Sequence, residues 1–243
     1  MPIRVRSRLL TGSRPVLVAA ALLPALALTA ACGGDDGKKQ PETVKASGAV
    51  PVAKLTEALL TSSDVSKVQV LQAGSTTQLL GARQTPDKPA CQPIADQWST
   101  QPAHPRQVYA GAMVTDTAAK DANAKTISLT VIASYKKGEA KTVLDELTTA
   151  LKTCTTYHVT RSGTKTTFLV KTAPVTSTLG DQRVAYTIAD ASQPTGIVLV
   201  TVIRVGDTTA AYETVRADKK VATLRDAIPL KQVQKLRAAA DGS

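Results

Sequence analysis

Residues 125–154, KTISLTVIASYKKGEAKTVLDELTTALKTC, contain a strand pattern followed directly by a helix pattern. Between Lys125 and Tyr135, Ile127, Leu129, Val131, Ala133 and Tyr135 alternate with Thr126, Ser128, Thr130 and Ser134, which predicts a half-buried strand with one polar face. After Gly138 the apolar residues recur every three to four positions, which predicts a helix with Cys154 on its buried side. A strand joined to an amphipathic helix favours a fold that mixes sheet and helix.

Further strand patterns lie on both sides of this unit. The run from Ile197 to Ile203 is apolar on both faces, which predicts a central strand covered twice, and Gly206-Asp207 is typical of a two-residue hairpin. We predict an α+β fold, an antiparallel sheet packed by the central helix and by terminal helices. The other strands are expected at 67–73, 107–114, 157–161, 166–171, 182–188 and 208–215, and the other helices at 51–60, 93–99, 219–227 and 229–240.

The first 31 residues predict export. Arginines without any acidic residue precede an apolar run from Pro15 to Leu28, and small residues lead to Cys32, which is the pattern of a secretory signal peptide. The run of about 14 residues is shorter than the ~20 that span a bilayer. The segment before Cys32 resembles the lipobox of bacterial lipoproteins, in which the cysteine is lipidated. Thr29 stands where that motif commonly has leucine, so ordinary secretion remains an alternative.

Three regions follow from this interpretation. Residues 1–31 are the lipoprotein signal peptide, residues 32–50 a tether anchored through lipid on Cys32, and residues 51–240 a single folded domain. The tether contains too little apolar surface to fold, whereas two acyl chains give lasting attachment. We therefore expect a protein at the cell membrane, on the extracytoplasmic face.

The net positive charge suggests that the protein lies near anionic lipids or wall polymers rather than that it binds nucleic acid. Removal of residues 1–31, which carry four arginines and no acidic residue, lowers the net charge from +11 to +7. A basic exported chain suits phospholipid head groups or wall polymers, although a solvated basic surface also explains it. Few aromatic residues and no dense basic run argue against a nucleic-acid partner.

Cys91 and Cys154 remain once Cys32 is assigned to lipid. In an oxidising exterior these two cysteines are expected to form a disulfide, and closing a loop of this length contributes about 4 kcal/mol in the chain-entropy model. His104 and His158 lack the spacing that a zinc site with these cysteines needs.

No catalytic motif, metal site or cofactor site is predicted. The chain lacks a G-x-S-x-G motif and a phosphate-binding glycine loop, and the acidic pair Asp145-Glu146 is expected on a solvated helix face. Two residues are candidates for ligand binding. Trp98 could line a pocket, with packing beside the disulfide as the alternative, and Arg204 could contact an anion, with a surface role at a hairpin end as the alternative.

The order of elements, the cysteine after the helix and the Arg204-Val205-Gly206 hairpin resemble the extracellular sensor domain of PknH-type actinobacterial kinases, a module also found in actinobacterial lipoproteins. The resemblance covers about residues 51–240 and includes no catalytic motif. It implies a ligand-sensing domain with a cleft and two disulfides, whereas here only Cys91 and Cys154 are free to pair.

Three functions follow as hypotheses. The first is a tethered, non-catalytic module that binds a small molecule, a lipid or a wall fragment in a cleft between sheet and helices. The second is a cell-envelope interaction module that holds an exported protein partner. The third, less well supported by the residues, is an enzyme that acts on wall polymers.

Overall fold

A computed structural model describes residues 50–175, 177–193 and 195–241. The predicted signal peptide, the lipidation site Cys32 and the tether up to residue 49 lie outside these residues, so all three stay predictions. Among the described residues, none of the helices has the length and hydrophobicity to cross a membrane.

An antiparallel sheet of eight strands dominates the described chain, in the order β1-β2-β3-β8-β7-β6-β5-β4. This sheet-rich structure is consistent with the predicted α+β class. The hairpin at Gly206 joins β7 to β8, and the left-handed backbone there (φ 57°) suits glycine. The strands are β1 (Val68–Gln72), β2 (Val108–Asp116), β3 (Thr126–Ser134), β4 (Thr156–Arg161), β5 (Thr164–Thr172), β6 (Gln182–Asp190), β7 (Val198–Val205) and β8 (Thr208–Arg216).

Four α-helices accompany the sheet in the described residues. They are α1 (Val52–Glu57), α2 (Gln92–Ala95), α3 (Glu139–Thr153) and α4 (Ala227–Asp241). Helix α3 packs on one face of the sheet and brings Leu144, Leu147 and Leu151 into a cluster with residues of β4–β8. Helices α1 and α4 share a second cluster with residues of β2, β3, β7 and β8. Strand β7 lies between the two clusters. Its fully buried Val200 belongs to the α3 cluster, and its fully buried Ile203 belongs to the cluster of α1 and α4.

The predicted burial of β3 is wrong in its first half. Thr126, Ser128, Thr130 and Ser134 are buried, whereas Ile127 is 43% exposed. The side expected to face water carries helices α1 and α4 instead. Its hydroxyls pair inside the protein, because Ser128 shares a hydrogen bond with Thr214 at 2.9 Å and Ser134 Oγ accepts one from the Val50 amide at 2.9 Å.

The helix predicted over 219–227 is also wrong. Helix α4 begins only at Ala227, and the preceding segment is irregular, with Lys219 in the left-handed region at φ 60°. Ala222 and Leu224 are buried while Val221 is exposed, so the inward residues alternate as in an extended chain. The side chain of Arg225 holds this segment to β2 through two hydrogen bonds, at 2.8 and 3.1 Å, to the carboxylate of Asp116.

Helix α4 buries Val233 and Leu236, as its spacing predicts. Lys235 of the same helix is also largely covered. Its Nζ donates hydrogen bonds to the Leu59 carbonyl at 2.6 Å and to the Asp64 carboxylate at 2.9 Å. The lysine therefore closes the end of α1 against α4 rather than facing water.

Candidate ligand-binding site

A cavity of about 300 Å³ lies on the face of the sheet that carries α3. Its floor comes from strands β4 to β8, and its opposite wall is the roof, which we define as residues 92–98, namely α2 and the 3₁₀ turn Asp96–Trp98. The exposed residues Ala82 and Gly196 also line it, so the cavity reaches solvent. Its size is at the lower end of small-molecule pockets, which measure about 300–1,000 Å³. The lining residues are Ala82, Gln84, Ile94, Ala95, Trp98, Tyr157, Phe168, Tyr186, Ile188, Ala189, Asp190, Gly196, Val198, Val200 and Glu213.

Aromatic side chains form much of the cavity wall. Tyr157 of β4 and Phe168 of β5 are cross-strand partners, and their ring centroids are 5.2 Å apart. Tyr186 of β6 is buried beside them. Burial raises the pKa of Tyr157. Burial also raises the pKa of Tyr186, and the nearby Tyr157 and Glu213 raise it further. Both phenols therefore stay neutral near pH 7. The floor therefore offers apolar and aromatic surface.

The roof is fastened to the central helix by the disulfide between Cys91 and Cys154. Cys91 immediately precedes α2 and Cys154 immediately follows α3, and both are buried in the cluster that contains Ile94 and Leu147. The predicted bridge is present in the structure. Its position means that Trp98, seven residues after Cys91, is held over the sheet by a covalent link.

Arg106 clamps the far end of the roof. Its guanidinium donates to the backbone carbonyls of Asp96 (3.1 Å), Gln97 (2.6 Å) and Ser99 (2.8 Å). These carbonyls follow the last turn of a short helix, where backbone acceptors lack helical partners. A separate pair of backbone hydrogen bonds joins Gly81 to the chain around Ser99, since Gly81 N donates to Trp98 O at 2.8 Å. The roof is therefore tied on both sides.

Trp98 lines the cavity and also packs against Leu79 and Val131. Its Nε1 is buried and has no hydrogen-bond partner among the described residues. An unsatisfied buried donor costs about 1–3 kcal/mol. The indole therefore lies beside the cavity with a buried donor that no described residue satisfies.

Glu213 is the most unusual residue of the floor. It lies on β8 between Leu129 of β3 and Val200 of β7. Burial raises the pKa of its carboxyl to about 7. Among the described residues no side chain or amide donates a hydrogen bond to it. The cavity thus contains a carboxyl group whose pKa burial raises toward neutral pH and to which no described residue donates a hydrogen bond.

The sequence analysis missed Glu213, although a signal for it exists. Residues 208–215 form a strand pattern next to the most apolar strand of the chain, and Glu213 is the one acidic residue within it. A carboxylate in a strand expected beside the sheet centre is exceptional and could have been singled out.

Arg204 is not among the residues that line this cavity. It lies at the end of β7, where its Nε donates to Gln182 at 2.6 Å and its Nη1 donates to the Gly206 carbonyl at 3.0 Å and the Asp181 carboxylate at 3.2 Å. The structure therefore separates the two predicted candidates. Trp98 lies at the cavity, whereas the donors of Arg204 hold the β7–β8 hairpin against the start of β6.

Four other ionisable side chains, outside this cavity, have partners within the protein. Asp145 pairs with Lys141 and accepts from Gln182, while the neighbouring Glu146 pairs with His104 at 3.1 Å. His158 shares a hydrogen bond with Thr167 on the adjacent strand. Within the described part of the chain, no group of three or more histidine, cysteine or acidic residues is placed to hold a metal ion.

Comparison with solved structures finds the same fold in the extracellular domain of PknH from Mycobacterium tuberculosis. The TM-score is 0.51 at 10% sequence identity, over 80% of this chain and 98% of that chain. An uncharacterized protein from Mycobacterium smegmatis gives a TM-score of 0.40 at 16% identity, over 79% of this chain and 97% of that one, a score too low to establish a common fold. No family model and no curated protein matches the chain. The resemblance stated from the sequence is therefore confirmed at the level of the fold.

Proposed function

We propose that this protein is a lipid-anchored, non-catalytic domain on the extracytoplasmic face of the cell membrane that binds a small apolar ligand in the cavity between sheet and roof. The observation that carries the proposal is the cavity itself. It combines an aromatic floor, which the indole of Trp98 adjoins, with the carboxyl of Glu213, to which no described residue donates a hydrogen bond. Apolar surface with a few convergent polar groups is the usual character of a ligand pocket.

Two further observations support this function. The shared fold belongs to a domain described as extracellular, which agrees with the export signal that we predict in residues 1–31. The polar groups at the cavity also lack the arrangement of a nucleophile next to a base that bond-breaking chemistry needs. The lipid on Cys32 and residues 32–50 would hold residues 51–240 near the membrane surface.

The test is to fill the cavity. Ala95 lies in the roof and lines the cavity, so Ala95→Phe should displace a ligand without touching the disulfide. The matched control is Ala238→Phe on the exposed side of α4. Protein purified from its native membrane is extracted with organic solvent, and mass spectrometry of the extract should detect a compound with wild type and the control that is lost with Ala95→Phe. Identical extracts from all three proteins, or no retained compound, would overturn the proposal.

A second candidate function, a module that holds an exported partner protein, is favoured by one observation. Leu71, Met113, Ile127 and Val215 are large apolar residues left exposed on the same sheet, and Leu71 and Met113 are cross-strand partners. Exposed apolar patches often mark protein contacts. A photo-crosslinker at Met113 in intact cells should then yield a discrete adduct, whereas a crosslinker at the exposed Thr223 should not.

A further inference from the structure

The ionisable residues that line the cavity are all acidic, whereas the chain as a whole has a net positive charge. The full sequence has 30 lysines and arginines against 19 acidic residues. The described residues that line the cavity include the carboxyls of Glu213 and Asp190 and the phenols of Tyr157 and Tyr186, but no lysine, arginine or histidine. A basic protein thus presents an acidic cavity.

Glu213 is the carboxylate that a ligand can neutralise. Asp190 already accepts hydrogen bonds from the amide and the hydroxyl of Ser192, at 2.8 and 2.7 Å. Glu213 has no such donor among the described residues and lies partly buried in the sheet between apolar neighbours. An ionised carboxylate at that position is costly unless an opposite charge approaches it.

The aromatic side chains of the cavity favour the same kind of charge. Trp98, Tyr157, Phe168 and Tyr186 all line it, and the faces of such rings attract cations. A carboxylate combined with aromatic walls is a common arrangement for organic ammonium groups. A hydrated divalent metal ion is a poor match, because calcium and magnesium need about six oxygen ligands.

We infer that the cavity binds a monovalent organic cation, a primary or quaternary ammonium carried on an apolar group, with the ammonium against Glu213 and the apolar part among the aromatic side chains. This inference rests on the proposed function, since it specifies the ligand class of the same cavity. The carboxylate of Asp190, near the cavity opening formed with Gly196, adds attraction for a cation and repels an anion.

Binding of a cation should depend on pH through Glu213. A quaternary ammonium keeps its charge at every pH, so only the protein titrates. The other titratable groups that line the cavity are Asp190, whose pKa hydrogen bonds from Ser192 hold below its usual value, and Tyr157 and Tyr186, whose pKa values burial raises. None of these changes charge between pH 5.5 and 8.5. The affinity should therefore rise through about pH 7 as Glu213 ionises.

The experiment uses the tryptophan fluorescence of the full chain, because Trp98 is its sole tryptophan and lies at the site. The probes are benzyltrimethylammonium, its uncharged isostere neopentylbenzene, and the anion phenylacetate. We expect the cation to bind at least about tenfold more tightly than the uncharged isostere at pH 8. Phenylacetate should bind more weakly than either.

Two variants test whether Glu213 causes the preference for the cation. Glu213→Gln keeps the shape of the side chain and should abolish the preference for the cation and its pH dependence while leaving the isostere bound. Glu57→Gln removes one negative charge from the exposed surface of α1 and should change neither. Thermal unfolding verifies that both variants are folded, and burial of the uncharged amide at position 213 should not lower the stability.

The outcomes separate the inference from the proposed function. If the isostere and the cation bind equally to wild type, or if Glu213→Gln keeps the preference, the cation inference is wrong while the cavity still binds ligands. If none of the three probes binds and the native extract contains no retained compound, the proposed function fails together with it.

Discussion

Cys91 and Cys154 are joined across the cavity-bearing face of the sheet, with their Cα atoms 5.6 Å apart. One sulfur precedes the roof helix α2 and the other follows the central helix α3. The bridge therefore links the element that covers the cavity to the element that packs on the sheet beside it. It is the covalent part of a scaffold that also holds the roof through hydrogen bonds and through the apolar packing of Ile94 and Trp98.

Removal of the bridge should destabilise the protein and loosen the roof. The two cysteines are 63 positions apart, so the double variant Cys91→Ser/Cys154→Ser should lose up to about 4 kcal/mol of unfolding free energy. Urea unfolding monitored by circular dichroism measures the loss. Wild type with intact bridge serves as the reference, and equal unfolding midpoints would show that the link contributes nothing to stability.

Arg106→Ala should weaken the other attachment of the roof. Three backbone carbonyls lose a charged donor, and we expect a loss of about 1.5–3 kcal/mol together with a red shift of Trp98 emission as water reaches the indole. Arg83 is exposed and makes no hydrogen bond or ion pair with the described chain, so Arg83→Ala is the control. If the emission spectra of Arg106→Ala coincide with those of the control, Arg106 does not hold the roof in place.

Glu213 should make the protein less stable as the pH rises. Its folded pKa of about 7 lies above the ordinary value of 4.5, so between these values the folded state binds more protons than the unfolded state. The free energy of unfolding therefore falls from pH 4.5 to 7 because of this residue. Above pH 7 we expect Glu213→Gln to be more stable than wild type by about 1–3 kcal/mol.

Urea midpoints measured from pH 4.5 to 8.5 check this prediction. The curve of Glu57→Gln should run parallel to that of wild type, whereas the curve of Glu213→Gln should be flatter over this range. If all three curves are parallel, Glu213 has no raised pKa in the folded protein.

Asp64 should have the opposite pH dependence. Burial raises the pKa of this carboxyl, but hydrogen bonds from Lys235 and Thr61 outweigh that effect, so the net pKa lies below 3.8. The associated stability is present above pH 3.8 and is lost as the pH falls through the lower, folded value. Asp64→Asn should therefore cost about 1–2 kcal/mol at pH 7 and much less near pH 2.

A double-mutant cycle with Lys235→Met attributes this cost to the pair. The methionine keeps an apolar stem, so the cycle isolates the charged contact. Additive losses from the two single variants would mean that Asp64 and Lys235 do not stabilise each other.

The sequence by itself determined the elements whose signal is local. The alternation in β3, the three-to-four spacing in α3 and the two-residue hairpin at Gly206 each come from backbone geometry that neighbouring residues impose. The pairing of Cys91 with Cys154 was also accessible, because few cysteines are available and Cys154 lies on the buried side of a helix.

Only the tertiary structure decided which surfaces are covered and which distant residues meet. Thr130 is buried because helices α1 and α4, more than 70 positions away on either side, lie over it. The segment 219–226 is irregular rather than helical, and Arg225 within it binds Asp116 across the fold. Trp98 and Glu213 line one cavity although 115 positions separate them. Local periodicity reports the conformation of a segment, whereas burial, charge pairing and cavities depend on long-range packing that no short stretch of sequence contains.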